Sequence, residues 1–427
     1  MVSIPMDHHH VLLPQEPRCK KMKKTAGCSF TSTTGLEDLP REIILDLLSR
    51  LPVTSLVQFR LVCRSWRALT EDPLLADGHL SLMAMSSPFL VFHSDYPIRN
   101  QLGFVELSAA VQAGARDDGQ KPCFAVKRFS LPFRDSMPEF DVVGSCNGLM
   151  CLSDSFYREP LRVYNPFTGE FRDLPESRQY VDQDVVFGFG YSPTMKKYKA
   201  IKSVYYYANS PKTASHRRPR RLRHMQSEVQ VLTLGDPCPS WRSLGKAPYQ
   251  IERKQTEAFL HGRLHWVTGP RRYRSARQIV SFDMTEERFL EIPKPDGGSL
   301  ARGNYQLGVL RGCLSAVAYC NYGRMEIWTM KTYGVKESWV KEYNVGAYMP
   351  KGLKQNANQT IMKIWKNLSG RVARVLCVMD GGEILLEYKS RALVAFDPKD
   401  GKFRDVVLKG MPSWFHASVH VGSLCWI

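Results

Sequence analysis

The chain has 427 residues, 43% of them hydrophobic and 11% aromatic, with a formal net charge of +18. That leaves room for one small and one large domain with a real core. No run of about 18 apolar residues suggests a membrane-spanning helix, the first 17 residues lack the basic flank and long apolar stretch of a signal peptide, and eleven scattered cysteines without a C-x-x-C pair fit the reduced thiols of cytosol or nucleus better than a zinc site or disulfide framework.

Residues 1–34 carry Arg18, Lys20, Lys21, Lys23 and Lys24 and are expected to form a disordered basic tail. Nuclear import is one reading of that cluster, and a plain solvated tail is the other. Arg217, Arg218, Arg220, Arg221 and Arg223 form a second run, so more than half of the charge excess is local.

Between Gly35 and Arg67 the apolar spacing is helical. Leu39, Ile43, Leu47 and Leu51 recur every fourth residue, with Glu42, Asp46 and Arg50 on the opposite side. Pro40 suits the start of that helix, and Leu51-Pro52 stops it. A second helical run is expected from Thr54 or Ser55 through Leu56, Phe59, Val62, Cys63 and Trp66. Two or three short helices over about 40 residues sit near the lower limit for a self-sufficient core. Their surplus of large apolar side chains points either to packing on the rest of the chain or to a partner helix or groove.

The elements Leu39-Pro40-x-Glu42-Ile43, Leu51-Pro52 and Leu56-x-x-Phe59-x-x-Val62-Cys63-x-x-Trp66 resemble the F-box. The resemblance implies docking on the Skp adaptor of a cullin–RING ubiquitin ligase. It implies that Leu39, Pro40, Ile43, Leu47, Leu56, Phe59, Val62, Cys63 and Trp66 make that contact.

From about Ser81 the helical spacing gives way to short apolar runs divided by Gly, Pro, Asn and Asp. One unit occurs three times, as Tyr164-Asn165-Pro166-Phe167-Thr168-Gly169-Glu170-Phe171, Phe282-Asp283 through Phe289, and Phe396-Asp397 through Phe403. Each reads as strand, Asx-initiated turn, strand. A second unit places a glycine before a strand at Gly148, Gly262, Gly312, Gly382 and Gly422. A third pairs Val231-x-Thr233-Leu234 and Trp241 with Ile327-x-Thr329-Met330 and Trp339. Antiparallel units recurring every 40 to 60 residues or so predict a β-propeller. The units fall near 88–133, 142–176, 185–245, 256–293, 304–345 and 374–409. The Gly422 strand is expected to close the ring on the first unit. Six blades follow, with seven left open because 346–373 is unassigned.

Gly144-Ser145-Cys146-Asn147-Gly148-Leu149-Met150-Cys151, Asn165-Pro166-x-Thr168-Gly169, Gly188-Phe189-Gly190-Tyr191 and Trp266 resemble the F-box-associated, kelch-related domain of plant F-box proteins. The organisation implied is a basic tail over 1–34, an all-α F-box over 35–80, and an all-β propeller over 81–427. The implied role is a non-catalytic adaptor that holds a protein substrate for ubiquitin transfer by other subunits, in the nucleus or cytoplasm.

No H-E-x-x-H, phosphate-binding G-x-x-x-x-G-K or G-x-S-x-G motif is present. No cofactor or metal is expected, His8–His10 reading as an incidental triplet and His261 and His265 as structural. The candidate recognition loops are 208–226, with Arg217, Arg218, Arg220 and Arg221, and the hairpin tip with Arg271, Arg272, Tyr273 and Arg274. Projecting from one face, they would suit an acidic or phosphorylated protein. The competing reading is a propeller enzyme or RNA-binding protein with a helical appendage; no nucleic-acid module or membrane anchor supports it.

Overall fold

The structure, a computed structural model, describes residues 39–83, 88–96, 99–109, 124–207, 225–252, 258–269, 277–302, 304–320, 323–354 and 373–425. Contacts separate the residues up to Ile44 from Leu45–Ile427. The division falls within helix α1 (Arg41–Ser49): the first unit's described part is residues 39–44, and the second unit holds the rest of the chain. The basic tail, Arg217, Arg218, Arg220, Arg221, Arg271, Arg272, Tyr273 and Arg274 lie outside the described residues.

Pro40 stands one residue ahead of α1, and its carbonyl accepts the amides of Ile43 (3.0 Å) and Ile44 (3.2 Å). The expected second helix is broken in two, α2 (Val53–Phe59) and α3 (Arg64–Thr70). Neither Thr54 nor Ser55 caps it; the Pro52 carbonyl accepts from Ser55 and Leu56 instead. The break has a geometric reason. In one continuous helix Phe59 and Trp66 would stand about 10 Å apart along the axis. With Cys63 extended between the helices, their ring centroids close to 4.8 Å. A further helix, α4 (Pro73–Met83), opens with the Leu74 amide donating to Asp72 Oδ1 at 2.9 Å. His79 of α4 bonds the Leu51 carbonyl through Nε2 at 3.0 Å.

The strands form six four-stranded antiparallel sheets. Blade 2 contains β4 (Phe140–Cys146), β5 (Leu149–Asp154), β6 (Leu161–Tyr164) and β7 (Phe171–Asp173). Blade 3 contains β8 (Asp184–Ser192), β9 (Lys197–Tyr207), β10 (Met225–Thr233) and β11 (Arg242–Gly245). Blade 4 contains β12 (Phe259–Leu260), β13 (Arg263–Val267), β14 (Ile279–Asp283) and β15 (Phe289–Ile292). Blade 5 contains β16 (Tyr305–Leu310), β17 (Cys313–Tyr319), β18 (Met325–Met330) and β19 (Trp339–Val345). Blade 6 contains β20 (Ala373–Val378), β21 (Ile384–Tyr388), β22 (Ala392–Phe396) and β23 (Phe403–Val406). Blade 1 takes β1 (Phe89–Tyr96), β2 (Gln101–Glu106) and β3 (Lys127–Arg128) from the start of the ring, and β24 (Trp414–His420) from its end.

The thrice-repeated sequence unit is one turn built three times. Asn165, Asp283 and Asp397 each accept a backbone amide two residues on through Oδ1, and each carbonyl accepts the amide four residues on, at 2.8–2.9 Å. The third unit is a seam clamp: Trp241 Nε1 donates to the Pro175 carbonyl at 2.7 Å and Trp339 Nε1 to that of Pro293 at 2.8 Å, each joining a blade to the end of the one before. Buried lysines tie the seams between blades 2 and 3 and between blades 3 and 4. Lys202 Nζ reaches Glu159 at 2.9 Å, and Lys199 Nζ reaches Glu287 at 2.8 Å.

Ring closure differs from the sequence expectation in one detail. The closing strand is β24, paired antiparallel with β1 from Phe89↔His420 to Tyr96↔Trp414, and the glycine at 422 opens no strand. Residues 421–425 instead form a strap across blade 2, where Asn165 Nδ2 donates to the carbonyls of Ser423 (3.1 Å) and Cys425 (2.9 Å). Gly422 fits there because a Cβ would come within 2.6 Å of Val53 Cγ1.

Candidate docking surfaces

Antiparallel blades put alternate connections at opposite ends of the ring. One end, called here the helix end, carries the tight turns after the first strand and the Asx turns. Arg60 of the α2–α3 connection meets Glu170 there at 3.2 Å and Glu71 at 3.4 Å, and Leu80 of α4 packs on the core of blades 2 and 3. The far end carries the links from second to third strand and from blade to blade.

The nine predicted docking residues divide in two. Leu39, Pro40, Ile43, Leu47, Val62 and Cys63 are exposed. Ile43 and Leu47 lie one turn apart on α1, while Ile44 and Leu48 of the same helix are buried. By contrast Leu56 is fully buried, and Phe59 and Trp66 are half-buried against each other. These three hold α2 and α3 in place. Leu61 and Leu74, which the sequence motif did not single out, are also exposed.

Exposed aromatic side chains collect at the far end. Of the six on the described propeller, Tyr96, Phe156, Tyr157, Tyr207 and Trp414 are there, and Phe171 alone lies towards the other end. Phe156 (71% exposed) and Tyr157 (82%) occupy a connection that its neighbours hold firmly. Asp154 Oδ1 accepts both their amides, Arg158 pairs with Asp141 at 2.8 Å, and Glu159 accepts from Ser177 and Lys202. Next to it Arg178 stacks over Tyr180 at 5.2 Å, and Tyr180 stacks on Tyr206 at 3.9 Å. Rigid exposed aromatics and arginines are the residues that dominate protein interfaces. The described strand ends flanking both predicted basic loops, at Tyr207, Met225, Val267 and Ile279, are also at the far end.

The description "F-box associated beta propeller domain" matches residues 100–424, and "F-box-like" matches residues 36–76. The chain belongs to the family of F-box proteins with an F-box associated propeller. This F-box protein is 53% identical to F-box protein At3g07870 of Arabidopsis thaliana over 92% of its own length and 93% of the relative's. It is 26% identical to the F-box/kelch-repeat protein At3g23880 of the same plant, over 91% and 95%. It is 27% identical to the Arabidopsis F-box protein CPR1, over 90% and 88%.

Inside the propeller is a cavity of about 340 Å³, lined by residues of the first two strands of several blades, among them His93, Ser145, Gln306, Ser315 and His416. Ser145 Oγ lies 2.8 Å from His420 Nδ1. That pair is a poor nucleophile and base, since complete burial holds His420 near a pKa of about 4. His265, expected to be structural, is also buried at a pKa of about 4, with Nδ1 on the Ala258 carbonyl and Nε2 on the Tyr333 hydroxyl. Among the described residues no group of three His, Cys, Asp or Glu side chains has the arrangement of a metal site.

Proposed function

We propose that this F-box protein is the substrate-recognition adaptor of a Skp–cullin–F-box ubiquitin ligase. Residues 35–80 act as the F-box and 81–427 as the recognition domain; catalysis belongs to the other subunits. The carrying observation is that a segment matching the F-box leaves Leu39, Ile43, Leu47 and Val62 exposed to solvent, although Ile44, Leu45, Leu48, Val53 and Leu56 of the same segment are buried. Each such side chain gains roughly 1.5–3 kcal/mol when a partner covers it fully. The Skp adaptor is the partner that family membership supports. The far end, with its rigid aromatics, is the proposed substrate face.

Co-expression with a plant Skp adaptor tests the docking. Wild-type chain is expected to co-purify with the adaptor, and a variant with Leu39→Glu and Pro40→Ala is expected to lose it while retaining its thermal midpoint. Undiminished co-purification of that variant would overturn the assignment.

A further inference from the structure

At the far end, the turn between β21 and β22 leans on the start of β24. The Arg391 amide donates to the Tyr388 carbonyl at 2.9 Å, and the two residues between them, Lys389 and Ser390, have φ of +47° and +56°. This is a type I′ turn, which favours Asn-Gly because side chains are strained at positive φ. Lys and Ser occupy it nonetheless. The turn is fastened to the next blade: Phe415 donates its amide to the Ser390 carbonyl at 2.8 Å, and Ser390 Oγ lies 3.4 Å from His416 Nδ1.

This arrangement holds the Arg391 guanidinium over the Trp414 ring, with Cζ 3.7 Å from its centroid. Trp414 is 41% exposed and Tyr96, opposite it on β1, is 58% exposed. Among the described residues no carboxylate lies within ion-pair distance of Arg391, and its Nε is buried without a hydrogen-bond partner. Glu387 is buried: its Oε2 accepts from Arg374 at 2.8 Å and from the Ala417 amide at 2.6 Å, and its Oε1 lies 3.5 Å from Ser390 Oγ and 3.9 Å from His416 Nδ1. A guanidinium stacked by its face keeps its edge for planar, two-point bonds to an oxyanion. His416 continues the cluster and also lines the central cavity.

We propose that Arg391, stacked on Trp414 and flanked by Tyr96, Lys389 and His416, is the point at which the propeller binds an oxyanion on a peptide segment of its substrate. The oxyanion is a carboxylate side chain or a phosphorylated serine or threonine, and the aromatic rings cover the residues beside it. This inference rests on the adaptor reading and specifies its substrate class. It moves the expected acid recognition from the arginine-rich loops to a built site on the ring.

The test uses the full chain bound to its Skp adaptor and follows fluorescence anisotropy of short labelled peptides with paired glutamates, paired phosphoserines or paired glutamines. Both acidic peptides are expected to bind more tightly than the glutamine control, and whichever binds tighter identifies the oxyanion. Arg391→Gln, Arg391→Lys and Trp414→Leu are each expected to weaken acidic binding about tenfold or more, the scale of a lost charge-assisted hydrogen bond. Equal binding of the glutamine control overturns the proposal. So does Arg391→Lys at wild-type affinity, since a generic positive charge would then suffice. Adaptor co-purification of each variant is read in parallel. If it persists while no acidic preference is found, this site fails and the adaptor role stands.

Discussion

The N-terminal helices and the propeller treat the same kinds of side chain in opposite ways. Where blades 6 and 1 meet, Leu90, Phe92, Leu385, Leu393, Phe415 and Ala417 form a closed core. In the helices Ile43, Leu47, Leu61, Val62 and Leu74 remain in water. The difference is one of completeness. A ring of sheets packs both faces of every blade against a neighbour once its last strand joins its first, whereas a few short helices have more apolar surface than they can cover. The propeller is therefore expected to be sensitive to core changes, and the helix surface to be sensitive only in binding.

The largest effect should follow deletion of residues 414–427, which removes β24 from blade 1 and the strap from Asn165. We expect no cooperative thermal transition by circular dichroism. A normal melt would mean the ring does not depend on that closure. The milder Phe415→Ala should cost about 3–5 kcal/mol, since it empties a fully buried site.

Next comes the charged seam between blades 2 and 3. Lys202 is fully buried, and its ammonium serves Glu159, Ser177 and the Arg178 carbonyl. Lys202→Met leaves Glu159 with an uncompensated charge, at a cost of about 3–5 kcal/mol. Urea unfolding would check it, and an unchanged midpoint would show that Glu159 finds water instead.

Acid should then act on the ring through His265 and His420. Both are held near a pKa of about 4, by burial first, against an ordinary 6.5. The unfolded chain therefore takes up these protons first. Stability is complete above pH 6.5 and is lost as pH falls to about 4, by up to about 3 kcal/mol per histidine. Glu228 and Glu287, held below their usual 4.5 because burial is outweighed by hydrogen bonds and neighbouring cations, add their loss as pH falls below about 4.5. A urea midpoint that stays flat from pH 7 to 5 would contradict this account.

The smallest change in stability is expected on α1. Ile43→Ser and Leu47→Ser should each shift unfolding by no more than about 0.5 kcal/mol, because both side chains are already exposed. If either change destabilises the free chain by several times that, the surface is part of its own core and the contrast with the propeller disappears.

Much of the ring was legible along the chain. Asn165, Asp283 and Asp397 announce the same turn because each side chain bonds an amide two residues away, an interaction that needs no distant partner. Trp241 and Trp339 could be paired by their spacing, although only the fold shows them reaching back to Pro175 and Pro293. Exposure within the helical set was not legible along the chain. A motif records which residues are apolar, but Leu56 and Ile43 carry equal weight in it while one is buried and the other exposed.

The sequence by itself determined the elements, their repeat and the surplus of apolar side chains in the helices, because periodicity and turn chemistry act over a few residues. Tertiary structure alone decided which side chains share a surface. Arg391 meets Trp414, and Tyr96 stands beside Trp414, only because the last strand returns to pair with the first. Such long-range pairing joins distant parts of the chain through backbone hydrogen bonds, and these leave no local pattern for a reader of the sequence to find.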